Sequence, residues 1–319
     1  MKISRMAKCL VCYQEDVPEG SDYHPACSLK FFGTRTPPEL IYTAGDMKEL
    51  AKKIVQSQGI MTGVQPKISL GIERTQGERR RLTLMMGEFI LKPPSTHYQQ
   101  MPETEDLTMH LAEICKIKTV PHALIRLASG ELSYITRRID RYQQTKIHME
   151  DFCQLSGLLT EDKYKSSMEK VGKLVQQFSA FPGLDLVNLF QLTVFNYLTG
   201  NNDMHLKNFS LFAGDQGWQL SPAYDLLNVN LVNEKDDEES ALTIGGKKRK
   251  LKEQDLHKLA IGYTLTEIQT RNVFNQLIDK EKEIVSFIKK GFLNKEYRDK
   301  YIEILRGRIE ILKKGMKTN

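Results

Sequence analysis

The hydrophobic period changes partway along the chain, and that change restricts the fold more than any other feature of the sequence. Apolar and polar residues alternate around Ile68, Leu70 and Ile72 and again around Leu82, Leu84 and Met86, and Phe89 and Leu91 follow after Gly87. A period of two sets one face of each segment against a core and predicts strands. The polar run from Glu73 to Arg80, with Gly77 inside it, predicts a hairpin connection. Upstream, Met47, Leu50, Ala51, Ile54 and Val55 recur at helical spacing, with Asp46 as the expected N-cap and Gly59 as the stop. Downstream, a helix with Leu107, Leu111, Ile114 and Cys115 on one face precedes two strand-like runs, Ala123 to Arg126 and Leu132 to Arg138. Beyond them the period is helical: Met168, Val171, Val175 and Phe178, then Leu186, Leu189, Phe190, Val194 and Leu198, then the amphipathic stretch from Leu265 to Leu312. Thr36, Pro37 and Pro38 mark a linker. The expected fold class is α+β: a Cys-rich segment over 1–35, a β-rich N-lobe over 36–140 and a helical C-lobe over 141–319. Two lobes are the default for 319 residues, a length that outgrows one compact core.

A charged fraction of 27% is that of a soluble globular protein. The chain has no apolar run long enough to span a bilayer and no uninterrupted apolar segment at its N-terminus. The expectation is a cytoplasmic protein without a membrane partner. The net charge of +6 is unevenly spread. Lys247, Lys248, Arg249, Lys250 and Lys252 form a basic run just after the acidic run Asp236, Asp237, Glu238 and Glu239, and the tail from Lys289 is basic. Such runs are ordinarily solvated faces, and otherwise attract nucleic acid, phosphate or an acidic partner. Aromatic platforms and a recognition-helix pattern are missing beside them, so direct nucleic-acid binding is not expected.

Of five cysteines, Cys115 and Cys153 stand alone in apolar segments and read as small core residues. Cys9, Cys12, His24 and Cys27 form two half-sites, Cys-x-x-Cys and His-x-x-Cys, of the kind that hold tetrahedral zinc. The competing reading is reduced thiols in a loosely ordered segment.

The chemistry concentrates in Gly200-Asn201-Asn202-Asp203-Met204-His205-Leu206-Lys207-Asn208, between a strongly apolar helix and a short apolar strand. Asp203 and Asn208 stand five apart, as do the catalytic carboxylate and the metal-binding amide of kinase catalytic loops. Asp203 is the candidate base for a hydroxyl proton, and Asn208 the neutral oxygen ligand for Mg²⁺, which takes hard oxygen donors. Asp225 stands beyond a short strand–turn–strand, where a second carboxylate ligand for Mg²⁺ belongs. Lys92 ends the apolar strand Phe89-Ile90-Leu91, the position of a phosphate-contacting lysine, and Glu105 on the next helix is its candidate ion-pair partner. Thr62-Gly63-Val64-Gln65-Pro66-Lys67 precedes the first strand and offers backbone N–H groups to phosphates; with one glycine it is neither a Walker A loop nor a Gly-rich kinase loop.

Seven motifs in order carry a resemblance: Gly63 to Lys67, Ile90-Leu91-Lys92, Glu105 before Met109 and Leu111-Ala112, Arg138-Ile139-Asp140-Arg141, His148 to Phe152, the Asp203 to Asn208 loop, and Tyr224-Asp225. Over roughly residues 58 to 312 the chain resembles the HipA family of toxin–antitoxin kinases. The resemblance implies a two-lobed, protein-kinase-like fold and Ser/Thr protein kinase activity with ATP and Mg²⁺. It implies Asp203 as base and Asn208 and Asp225 on Mg²⁺. The nucleotide contacts would be Thr62, Gly63, Val64, Gln65, Lys67, Lys92, His205 and Lys207, with Arg138 and Ile139 on the adenine side. It further implies a protein substrate, with aminoacyl-tRNA synthetases as the family precedent, and a helix-turn-helix antitoxin. The chain resembles short variants without the extra N-terminal subdomain of longer members, a piece that can be a separate small protein. Where longer members carry a phosphorylatable serine this chain has Ile60, which leaves Thr62 as the nearest hydroxyl for autophosphorylation. A small-molecule kinase shares the catalytic loop and lacks the Gly63 to Lys67 series. A pseudokinase is disfavoured by the full set Asp203, Asn208, Asp225 and Lys92, and a zinc-bearing nucleic-acid adaptor would rest on the cysteines and lysines alone. Action in its own cell and export to a host cell both stay open.

Overall fold

The structure is a computed structural model, and residues 8–58, 66–74, 80–142 and 145–316 are described. The chain divides into two compact units, one of residues up to 106 with 120–139, the other of 107–119 with 140–319. One boundary of this division falls within the helix Met101–Ile114, between Asp106 and Leu107, and another in a turn, between Ile139 and Asp140.

The first unit contains α1 (Pro25–Phe32), α2 (Ala44–Gln58), β1 (Ile68–Arg74), β2 (Arg80–Leu84), β3 (Phe89–Lys92), the first part of α3 (Met101–Ile114), β4 (His122–Arg126) and β5 (Leu132–Arg137). The five strands form one antiparallel sheet in the order β2-β1-β3-β5-β4, so β3 is central. Its Phe89 and Leu91 are buried, as are Ile68 and Leu70 of β1. The predicted alternation fails at one edge: in β2 Leu82 is buried, whereas Leu84 is exposed and Met86 just beyond is 81% exposed. β2 has a strand neighbour on one side only, and the bridge from Glu39 covers its other edge only around Arg80 to Leu82, so its end meets less protein. The cap of α2 is Thr43 and not Asp46: the Asp46 carboxylate accepts from the Thr43 N–H and hydroxyl, both at 2.7 Å, and the Thr43 hydroxyl accepts from the Asp46 N–H. Gly59, the expected stop, lies outside the described residues. The Cys-rich segment is an ordered part of this unit, with Cys9, Leu10, Phe31 and Phe32 buried, so the loosely ordered reading does not hold.

The second unit takes the rest of α3, the short pair β6 (Arg141–Tyr142) and β7 (Thr145–Lys146), β8 (Met149–Asp151), α4 (Phe152–Leu155), α5 (Met168–Phe178), α6 (Pro182–Thr199), β9 (Ser210–Gly214), β10 (Gly217–Leu220), α7 (Val229–Val232), α8 (Glu253–Gly262), α9 (Glu267–Asp279), α10 (Glu281–Lys290) and α11 (Lys295–Met316). α6 is its axis, packed against α5, α8, α9, α11 and β10. It is apolar on nearly every side because it is buried on nearly every side. β8, β9 and β10 form a small antiparallel sheet beside it. Among the described residues no helix is long and apolar enough to cross a membrane.

Candidate active site

The Gly200–Asn208 loop hangs between α6 and β9, and its start is fixed by a glycine. Gly200 caps α6 at φ 74°, with its N–H on the carbonyls of Asn196 and Tyr197. A Cβ there would also meet the Asn228 side-chain oxygen at 2.6 Å, so glycine is required for conformation and for space. The Arg308 guanidinium of α11 donates to the same Tyr197 carbonyl, and to Asn230 Oδ1 at 2.7 Å. Asn201 and Asn202 are buried and tie the loop down: Asn201 Nδ2 donates to Asn196 Oδ1 at 3.0 Å, and Asn202 Nδ2 to the Glu238 carbonyl at 2.9 Å.

Within the loop, Asn208 Nδ2 donates to the Asp203 backbone carbonyl at 3.0 Å. A carbonyl only accepts, so this bond identifies the amide nitrogen and turns Asn208 Oδ1 away as an acceptor. The Asp203 carboxylate is half-buried and its Oδ1 accepts from the Tyr164 hydroxyl at 2.7 Å. Burial, and then the Asp203 charge, hold that phenol well above its ordinary pKa, so it is a donor throughout the physiological range. His205 is 5% exposed and meets Tyr164 edge-on at 5.0 Å. Burial pushes it down to about 4, against the pull of the Asp203 and Asp225 carboxylates, so it is neutral at pH 7. Both charges therefore act on one imidazole. Lys207 Nζ pairs with Asp151 Oδ2 at 2.6 Å, and its carbonyl accepts from the Tyr224 hydroxyl at 3.0 Å. Tyr224 also meets Ser210 Oγ at 2.6 Å, which anchors the residue before Asp225 to β9. Asp225 has φ 56°, a left-handed backbone that aspartate tolerates better than most residues.

In the first unit, Lys92 and Glu105 come together as predicted in a buried ion pair of 2.6 Å, with side chains 5% and 2% exposed. The ammonium also lies over the Tyr134 ring, 5.4 Å from its centroid. Lys67 is exposed just before β1, and the Arg138 N–H at the end of β5 donates to the Glu88 carbonyl at 2.7 Å. Ile139 is the last residue of this unit. Ile60, Thr62, Gly63, Val64 and Gln65 lie outside the described residues.

Sequence reasoning missed Tyr164, which belongs to no periodic segment and is brought to Asp203 by tertiary structure alone. It used Asp151 only as part of a motif. Asp151 caps α4 with a reciprocal bond to Gln154 and also pairs Lys207, a double role that the cap pattern alone does not reveal.

Residues 59–285 match the family described as HipA-like C-terminal domain. "Putative kinase Y4mE" of Sinorhizobium fredii is 36% identical over 149 residues, covering 44% of this chain and 35% of that protein. The "Serine/threonine-protein kinase toxin HipA" of Shewanella oneidensis is 24% identical over 200 residues, 54% of this chain and 44% of that protein. The chain thus spans less than half the length of these relatives. Among solved structures, HipA of Shewanella oneidensis MR-1, from its complex with HipB and operator DNA, superposes with a TM-score of 0.67 at 21% identity, over 82% of this chain and 70% of that one. The Helicobacter pylori proinflammatory kinase CtkA gives a TM-score of 0.50 at 15% identity, over 77% of this chain and 93% of that one. These likenesses establish the α+β, kinase-like fold.

Proposed function

The chain belongs to the HipA-like C-terminal domain family, and from that premise we propose that it is an ATP-dependent Ser/Thr protein kinase of a toxin–antitoxin type. The observation that carries this reading is the Asp203–Asn208 loop, closed on itself by the Asn208 amide. That closure fixes the spacing between a carboxylate that can take a hydroxyl proton and an amide oxygen that can face a metal.

The donor set fits magnesium. Asn208 Oδ1 and the Asp225 carboxylate are hard oxygen ligands, one neutral and one anionic, and would hold the ion with phosphate oxygens completing its shell. When bound, Mg²⁺ offsets negative charge on the phosphates. Asp203 orients the substrate hydroxyl and accepts its proton. Tyr164, bonded to one oxygen of that carboxylate, restricts its rotation. Lys92, oriented by Glu105, contributes the cation for the α/β-phosphates, and the 62–67 segment contributes backbone donors.

A protein hydroxyl is the proposed acceptor, with an aminoacyl-tRNA synthetase as the first candidate. A helix-turn-helix protein comparable to the HipB of the Shewanella complex is the proposed partner. Autophosphorylation at Thr62 belongs to the same proposal. A phosphate there adds about −1.5 to −2 charges beside the nucleotide's own, so it should inhibit. The deciding experiment incubates the chain with labelled ATP and a cell lysate, beside Asp203→Asn. Wild type should label discrete proteins and the variant none, while both bind ATP alike. Equal labelling by the two removes Asp203 as the base and the kinase reading with it.

A further inference from the structure

The first unit holds a second cluster that the kinase chemistry does not use. One ligand atom each from Cys9, Cys12, His24 and Cys27 lies within 4.8 Å of the other three. His24 Nδ1 is 3.4 Å from Cys12 Sγ and 3.8 Å from Cys27 Sγ. A tetrahedral zinc ion with its usual bonds to sulfur and nitrogen separates neighbouring ligands by about 3.6–3.8 Å, so these distances already match the edges of such a site.

The histidine tautomer is fixed from outside the cluster. His24 Nε2 lies 2.8 Å from the Glu15 carbonyl, which can only accept, so Nε2 carries the proton and Nδ1 presents its lone pair to the sulfurs. A backbone carbonyl on the far nitrogen is the usual outer partner of a metal-bound histidine. Cys9 is fully buried, so its sulfur is held inside the cluster. The turn after Cys12 places Tyr13 at φ 63°, which bends the first half-site back on itself. Three sulfurs and one imidazole are soft and borderline ligands that favour zinc over magnesium or calcium, and four protein ligands leave no open position for catalysis.

The cluster is bonded to the sheet on several sides. The Leu10 carbonyl accepts from the Leu124 N–H of β4 at 3.0 Å, and the Tyr23 hydroxyl donates to the Leu124 carbonyl at 2.8 Å. The rings of Phe31 and Phe32 lie 5.8 and 5.9 Å from that of Phe89, which begins the strand that ends in Lys92. The Tyr13 hydroxyl donates to Asp106 Oδ2 at 2.8 Å, and Asp106 follows Glu105 on α3.

We propose that Cys9, Cys12, His24 through Nδ1, and Cys27 bind one structural zinc ion, and that this ion fastens the N-terminal segment to the sheet carrying Lys92. The full chain, purified reduced and without chelators, should contain about one equivalent of zinc. Exchange for Co²⁺ should give the intense visible bands of a tetrahedral site and a thiolate charge-transfer band. Cys27→Ser and His24→Ala should lose the metal. Should those variants fail to fold, His24→Cys, which supplies a fourth thiolate, should keep it with a shifted cobalt spectrum, and Cys115→Ser should leave both metal and spectrum unchanged. Removing zinc from the wild type should speed hydrogen exchange at the Leu124 amide and along β3, and leave α6 protected. Metal-free protein with no tetrahedral cobalt spectrum overturns the site, as does iron in place of zinc, or zinc retained in both Cys27→Ser and His24→Ala. Unchanged exchange in β3 and β4 after zinc removal overturns the fastening role.

Discussion

Asp203 presents one carboxylate oxygen to Tyr164 at 2.7 Å, and Tyr164 is 41% exposed. An exposed partner is worth less than a buried one, so Tyr164→Phe should cost about 1 kcal/mol, a three- to tenfold drop in kcat. KM for ATP should not move, because the hydroxyl touches the proposed base and not a proposed nucleotide-binding group. Steady-state kinetics with varied ATP checks the split. His205, two residues on, sets a pH dependence of stability. Its folded pKa is about 4 against an ordinary 6.5, so between those values the unfolded chain binds the proton and the folded chain does not. Stability from this group is fully present above about pH 6.5 and is lost as pH falls toward 4, to a total of roughly 3 kcal/mol. Urea unfolding of the metal-free chain should show that loss, and His205→Gln should show much less of it. Equal pH dependence in both chains would assign the loss to other groups.

Elements place these residues, and some of that placement was legible. Phe89, Leu91 and Lys92 read correctly as a strand ending in a lysine, because a central strand imposes its period on the sequence. β2 also read correctly as a strand but not in its buried face, because an edge strand relaxes the demand on Leu84 and Met86. Contacts between helices were not legible. Gly172 of α5 looks like a weak helix residue, yet a Cβ there would meet the Tyr263 ring at 2.2 Å, so glycine lets that ring approach. The pairing of β3 with α3 through Lys92 and Glu105 gives a separable prediction. Glu105→Ala should destabilise the first unit by about 3–5 kcal/mol, since it strips the carboxylate from a buried ammonium. Lys92→Met combined with Glu105→Leu should recover much of that loss, because apolar replacement of both partners avoids burying one charge alone. The double variant should nonetheless bind ATP far more weakly than wild type. Denaturation curves beside nucleotide titrations distinguish the pair's part in folding from its part in binding.

Over the whole molecule, the sequence reveals charge runs but not their partners. The acidic run 236–239 and the basic run 247–250 read as two solvated faces. In the fold they neutralise one another, with Arg249 on Asp237 at 2.9 Å and Lys248 on Glu238 at 3.6 Å, and Lys247 pairs with Asp255 at 2.7 Å. A loop that doubles back brings them together, and no periodic signal encodes such a loop. The Asp203–Asn208 loop stands out in the sequence for the opposite reason: in the proposed function its residue types and spacing answer to the ions and protons it would handle, whatever surrounds it. That difference gives a test by thermal unfolding of the intact chain. A ligand that binds only the folded state stabilises it by about 2.7 kcal/mol at a hundredfold excess over its Kd. Mg·ATP should therefore raise the Tm of wild type and of Asp203→Asn equally, because in the proposed function the base acts on the hydroxyl and not on the nucleotide. Asp225→Asn should lose the part of the shift that depends on magnesium and keep the smaller shift given by ATP with chelator. If instead Asp203→Asn lost the magnesium-dependent shift and Asp225→Asn kept it, the roles of the two aspartates would be exchanged.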